Sequence, residues 1–138
     1  DPNIGLISDD GERVGTKEFA AALKSILAQT GGRTVFVSSA DLSHVGPQFG
    51  DQAPLDEKRR HAVEQFDREL LGEFIGGGEP FLAHVAKTGN ANRWCSIGNM
   101  YVTAICAPHR TREMVKYEQS VDPNGAAMIS SAALALLA

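Results

Sequence analysis

Residues 35–46 read VFVSSADLSHVG. Val35, Phe36 and Val37 are β-branched or aromatic, the composition of a buried strand. An amphipathic pattern precedes them: Phe19, Leu23, Ile26 and Leu27 recur at helical spacing, and the run ends near Gln29, before Gly31-Gly32. Helix, Gly-Gly, β-branched strand and polar turn is the order of an α/β unit. The expected strand covers Arg33 to Ser38. The expected fold is α/β, with a mixed or mostly parallel sheet flanked by helices. After the strand the chain turns polar and presents Asp41 and His44, three positions apart. Ligands of open α/β sheets bind at the carboxyl ends of strands, so this turn is the first place to look for chemistry.

Outward from that stretch the pattern stays regular. Ile4 to Ile7 is a short apolar run, read as a strand or the tail of one, and Asp9-Asp10-Gly11 is turn chemistry. Thr16 is the expected cap of the first helix, with Glu18 in its first turn. Residues 45–53 form a loop. Asp56 opens the longest helix, whose apolar stripe is Val63, Phe66, Leu70 and Phe74, with Leu71 and Ile75 beside it. Gly76-Gly77-Gly78 stops that helix. The triplet follows a helix, not a strand, and lacks the Lys-Ser/Thr of a phosphate loop, so it reads as a helix-to-helix hinge. A short helix follows from Glu79-Pro80 to about Lys87. Ser96 to Ala107 is apolar on most sides, a buried helix stopped by Pro108. Met114 to Val121 is a strand with Val115 and Tyr117 on one side and Lys116 and Glu118 on the other. Ala126 to Ala138 supports a helix by propensity or a central strand by its small apolar residues.

At 138 residues, with 43% hydrophobic and 22% charged residues, residues 1–138 read as a single domain able to bury a core. The net charge of -4 offers no basic footprint for nucleic acid. The run Lys58-Arg59-Arg60-His61, followed by Glu64, Asp67 and Glu69, reads as a solvated helix face. The apolar C-terminus is too short, and too interrupted by Ser130-Ser131, to span a bilayer. Cys95 and Cys106, if on one helix, stand roughly 16 Å apart along its axis and cannot pair. With no signal peptide visible, a reducing compartment, the cytoplasm, is expected. The chain begins Asp1-Pro2-Asn3 without Met, as a processed product or a fragment of a longer protein would.

Three side chains carry chemical potential. His44 is suited to acid–base work near neutral pH, and Asp41 either orients the imidazole or caps the turn. Cys95 follows the polar loop KTGNANRW and precedes a helix, where the dipole stabilises a thiolate. The competing reading is a small apolar residue tucked behind Trp94. Cys106 lies in the apolar part of the helix and reads as core. Ser43 lacks the G-x-S-x-G elbow of a hydrolase. His61, His84 and His109 have no ligand-like spacing.

The motifs together resemble one family. VFVSSADLSHVG resembles the SSD-x-SH-x-G element of Memo-like proteins, with one residue more, Ala40. RWCSIGNMYVTAI resembles that family's Cys-then-helix element. KYEQSVDPNGAAMISSAALAL resembles its closing YAQS segment and final small-residue strand. The resemblance runs from about Thr16 onward and corresponds to the C-terminal half of such a protein. Memo-like proteins in turn resemble the catalytic subunits of class III extradiol ring-cleaving dioxygenases, which hold a non-haem Fe(II). Cys95 is implied as a metal ligand, His44 as the acid/base and Asp41 as its acidic partner. The metal implied is Fe(II) or another divalent transition metal such as Cu or Zn, completed by two His from an N-terminal half. That half, a second chain or a second copy in a homo-oligomer is the implied partner. Two functional classes follow: a metal-dependent oxidoreductase, and a non-catalytic domain that binds a protein or peptide through the same pocket. The resemblance also implies that Ala126 to Leu137 contains a buried strand.

Overall fold

A computed structural model describes residues 14–107 and 111–137, with the side chains of residues 111 and 112 set aside. The runs at residues 4–7 and 9–11, Pro108 and His109 lie outside the described residues. In chain order the elements are α1 (Thr16–Thr30), β1 (His44–Val45), a 3-10 turn (Pro47–Phe49), α2 (Glu57–Gly76), α3 (Gly78–Thr88), α4 (Ile97–Cys106), β2 (Thr111–Val121) and β3 (Met128–Leu137). None of the described helices is long and apolar enough to cross a membrane.

The fold is mixed α/β, but the sheet is antiparallel where a mixed or mostly parallel one is expected. Its three strands run in the order β1-β3-β2, with both neighbours antiparallel to β3. For β2 and β3 the cause is the tight connection Asp122-Pro123-Asn124-Gly125. Asp122 accepts from the Asn124 N–H at 3.0 Å and Gly125 adopts φ 66°. So short a loop makes a hairpin, whereas parallel strands need a long crossover. β3 is a strand over Met128–Leu137, as the resemblance implies, but it is not the buried strand expected: beyond Ser130 its residues are half-buried or exposed, and only one of its faces packs closely on the core.

The expected strand at Arg33 to Ser38 is absent. These residues have no regular secondary structure, and Val35 and Val37 are 83% and 85% exposed. A strand exists only through a partner, and this segment leans on α4 instead. Asn99 accepts from the Ser38 hydroxyl at 2.9 Å and donates to the Ser39 carbonyl at 3.0 Å. Pairing with β3 begins at Leu42, whose N–H donates to the Ser130 carbonyl at 2.9 Å.

The helices follow expectation more closely. Asp56 caps α2 and accepts from the Arg59 N–H at 2.6 Å. Gly77, at φ 137°, separates α2 from α3 as a hinge. Gly15, not Thr16, is the cap residue of α1. The core joins Leu70, Leu71 and Phe74 of α2, Phe81 and Val85 of α3, Trp94, and Ile97 and Met100 of α4. Full burial of such side chains contributes about 1.5–3 kcal/mol each. Met114 and Tyr117 close the core from β2. The expected pairing of Val115 with Tyr117 on one face fails because of a bulge between Met114 and Lys116. The extra residue, Val115, points out at 63% exposure, and the alternation restarts beyond it.

Candidate metal centre

Asp41, His44 and Cys95 come together: one ligand atom from each lies within 4.8 Å of the others. They arrive on two segments about fifty positions apart, and each segment has its own anchors.

The first segment is stitched to β3. The Ser130 N–H donates to the Ser43 carbonyl at 3.0 Å, and the Ser43 N–H donates to the Ser130 hydroxyl at 2.9 Å. The His44 N–H donates to the Asn92 carbonyl at 2.8 Å, which ties β1 to the second segment. The ring of His44 is then fixed by two acceptors: Nδ1 is 3.1 Å from the Leu42 carbonyl and 3.1 Å from the Arg93 carbonyl. Carbonyls only accept, so Nδ1 carries a proton. Nε2 is 3.8 Å from Asp41 Oδ2. Phe49 sets its ring at 86° to the imidazole, 5.3 Å between centroids. Gly46 is required here: at φ 114°, a Cβ would meet the Ala126 carbonyl oxygen at 2.6 Å.

The second segment is braced by its own loop. The Asn90 side chain accepts from the Trp94 N–H at 2.9 Å and donates to the Trp94 carbonyl at 2.9 Å. Arg93, at φ 59°, donates from Nε to the His44 carbonyl at 2.8 Å and from Nη2 to Asp51 at 2.6 Å. Asp51 also accepts the Gly46 N–H at 2.7 Å. Burial pushes the Asp51 carboxyl up, but the Gly46 N–H and the Arg93 guanidinium outweigh it and hold the group below the usual carboxylate range. Trp94 points inward and Cys95 outward: the thiol is exposed, 3.3 Å from the Ser96 hydroxyl, just before α4. Cys95 is therefore not a small residue tucked behind Trp94, whereas Cys106 is buried as expected. Beside Asp41 a shallow cleft of about 470 Å³ opens, bounded by Ser120, Asp122 and Ser131. His61 and His84 lie on α2 and α3, and His84 meets Glu73 and the Phe66 ring instead of this cluster.

Asp67 corrects the solvated-face reading of α2. It is fully buried. Its Oδ1 accepts from the Ser43 hydroxyl at 2.5 Å and the Trp94 indole N–H at 2.8 Å. Its Oδ2 accepts from the Tyr117 phenol at 2.7 Å and the Ser130 hydroxyl at 2.5 Å. Burial, opposed by Gln119 and reinforced by the Asp67 carboxylate, holds the Tyr117 phenol well above its ordinary range. The signal for this site stood in the sequence. Asp67 falls four residues after Val63 and three before Leu70, on the apolar stripe itself.

The donor set suits a divalent transition metal: an imidazole Nε2 with its tautomer fixed, a thiol and a carboxylate. Metal–ligand bonds of about 2.0–2.3 Å need donor atoms somewhat closer together than these, a contraction that rotation of the exposed Asp41 and Cys95 side chains can supply. No family model matches this chain, and no curated protein and no solved structure matches it.

Proposed function

We propose that this chain contributes to a metal pocket of the Memo-like kind, related to that of the non-haem iron extradiol dioxygenases, and works as a metal-dependent oxidoreductase. The observation that supports this most is the convergence of Asp41, His44 and Cys95 within 4.8 Å from two distant segments. Cys95 is the metal ligand. His44, with its proton held on Nδ1, offers Nε2 as the base, and Asp41 stabilises the charge that forms when Nε2 takes a proton. A bound Fe(II), Cu or Zn would supply Lewis acidity and, for the first two, redox chemistry. Two further His ligands come from an N-terminal half or a second chain.

The test is metal content after loading with Fe(II) under anaerobic conditions. Cys95→Ala should lose the metal, while His44→Ala should keep most of it and lose turnover. Equal metal content in the two variants would sink this division of roles.

A second reading has its own observation. An apolar groove of about 650 Å³, lined by Leu27, Phe36, Leu42, Met100, Leu134 and Leu136, opens beside the exposed Val35 and Val37. It favours a non-catalytic domain that binds a protein or peptide. That domain would show no redox turnover with added Fe(II) or Cu, and its partner would stay bound in the presence of a chelator.

A further inference from the structure

Asp67 is a carboxylate with no exposure, and the four side-chain donors on its oxygens are all neutral. Burying a charge is costly unless every lone pair is met, and here four donors meet two oxygens. The identity of those donors is informative. Ser43 directly precedes His44, and Trp94 directly precedes Cys95. Both donate to the same oxygen, and the Trp94 indole N–H also lies 3.1 Å from the Ser43 hydroxyl. In extended chain, neighbouring side chains point to opposite sides. An inward Ser43 therefore sends His44 to the rim, and at the bend that follows the left-handed Arg93 the chain likewise holds Trp94 inward and Cys95 outward. Ser130, on the other oxygen, is the residue of β3 that pairs with Leu42 and Ser43.

We infer that Asp67 is the positioning residue of the candidate centre: one buried carboxylate sets the spacing of His44 and Cys95 by gripping the residue before each. The inference rests on the metal-pocket reading for its functional meaning, but its geometric content can be tested without any metal. Asp67 touches neither a metal nor a substrate, so its effect passes through Ser43 and Trp94.

Two readouts separate the inference from the reading it rests on. The first is nitrogen NMR of the His44 imidazole on the metal-free 138-residue chain, which reports the ring tautomer. The second is titration with Co(II) alone, under reducing conditions, following the thiolate-to-metal absorption band that Cys95→Ala removes. The variants are Asp67→Ala, Asp67→Asn and Ser43→Ala, each checked for cooperative unfolding. Asn keeps a carbonyl for Trp94 and Ser43, while its NH2 faces the Tyr117 and Ser130 hydroxyls, which can turn to accept.

The wild type should hold the Nδ1–H tautomer. Asp67→Ala and Ser43→Ala should give a tautomer mixture, and Asp67→Ala, which also releases Trp94 beside the Cys95 ligand, should weaken Co(II) binding by at least about tenfold, the usual scale for losing a group that orients a ligand. Asp67→Asn should keep the tautomer and bind Co(II) more tightly than Asp67→Ala. If Asp67→Ala does not fold, Ser43→Ala decides alone. An unchanged tautomer in a folded Asp67→Ala or in Ser43→Ala overturns the inference. A tautomer that shifts in the variants upholds Asp67 as the anchor even where the wild-type chain does not bind Co(II), because the metal reading draws two further ligands from outside this chain and is overturned by its own Fe(II) test.

Discussion

The two halves of β3 differ in what surrounds them. Met128 and Ile129 are paired on both edges, by β1 and by β2, Ser130 by residues 42–43 and by β2, and Met128 and Ser130 are fully buried. Among the described residues, Leu134 and Leu136 are paired only by β2, and they border the apolar groove of about 650 Å³. Hydropathy runs the other way, since the closed half contains the serines and the open half the leucines. Hydrogen bonding makes the difference. At the closed end, Asp67, Ser43, Ser130 and Trp94 satisfy one another and draw residues 42–44 onto the strand. At the open end no polar group among the described residues performs that task, and residues 38–39 are held to α4 by Asn99 while Val35 and Val37 stand in solvent. Apolar residues supply the driving force for burial, but a satisfied polar node specifies which segment is buried and where.

That contrast can be broken by substitution. The largest effect is expected from Phe81→Ala in the core between α2, α3 and Trp94. Phe81 is fully buried, with Phe74 at 5.6 Å and Trp94 at 6.1 Å between ring centroids. The loss should be about 3–5 kcal/mol in denaturant unfolding; a loss below about 1 kcal/mol would mean that this core is loosely packed. An intermediate effect is expected from acid. The Asp51 carboxyl is held low by Gly46 and Arg93, so its contribution to stability is complete above the unfolded carboxylate range and fades as pH falls through the lower folded value. Wild type should therefore lose stability below about pH 4 more steeply than Asp51→Asn. Parallel pH profiles would show that the Arg93–Asp51 bridge leaves the loop unsupported. The smallest effect belongs to the open end: Val37→Ser should change stability by less than about 0.5 kcal/mol, as substitutions at exposed sites do. A larger loss, measured by the same unfolding curves, would mean that Val37 is covered in solution.

Much of this molecule was legible in the residues. Asp56 announced the start of α2, the three glycines announced the hinge, and the apolar stripe announced the buried face of α2. Motif and position single out Asp41, His44 and Cys95, and the three side chains converge. Other features were misread for identifiable reasons. Val35-Phe36-Val37 has strand composition, but strand formation depends on a partner, and Asn99 draws this segment towards α4. The bulge at Val115 inverts the facing of β2, and no pattern of period two reveals an inserted residue. Asp67 was hidden by its charged neighbours Glu64, Arg68 and Glu69, although its place on the stripe was there to be counted.

Local chemistry decides whatever depends on near neighbours along the chain. Helix caps, glycine hinges and the Asp-Pro-Asn-Gly hairpin turn satisfy backbone groups within a few residues, so the sequence by itself determined them. The tertiary structure decided whatever depends on which distant donors reach one acceptor. The antiparallel register of β1 on β3, the burial of Asp67 and the outward aim of His44 and Cys95 all follow from four donors, drawn from residues 43, 94, 117 and 130, meeting one carboxylate in a site without water's dielectric.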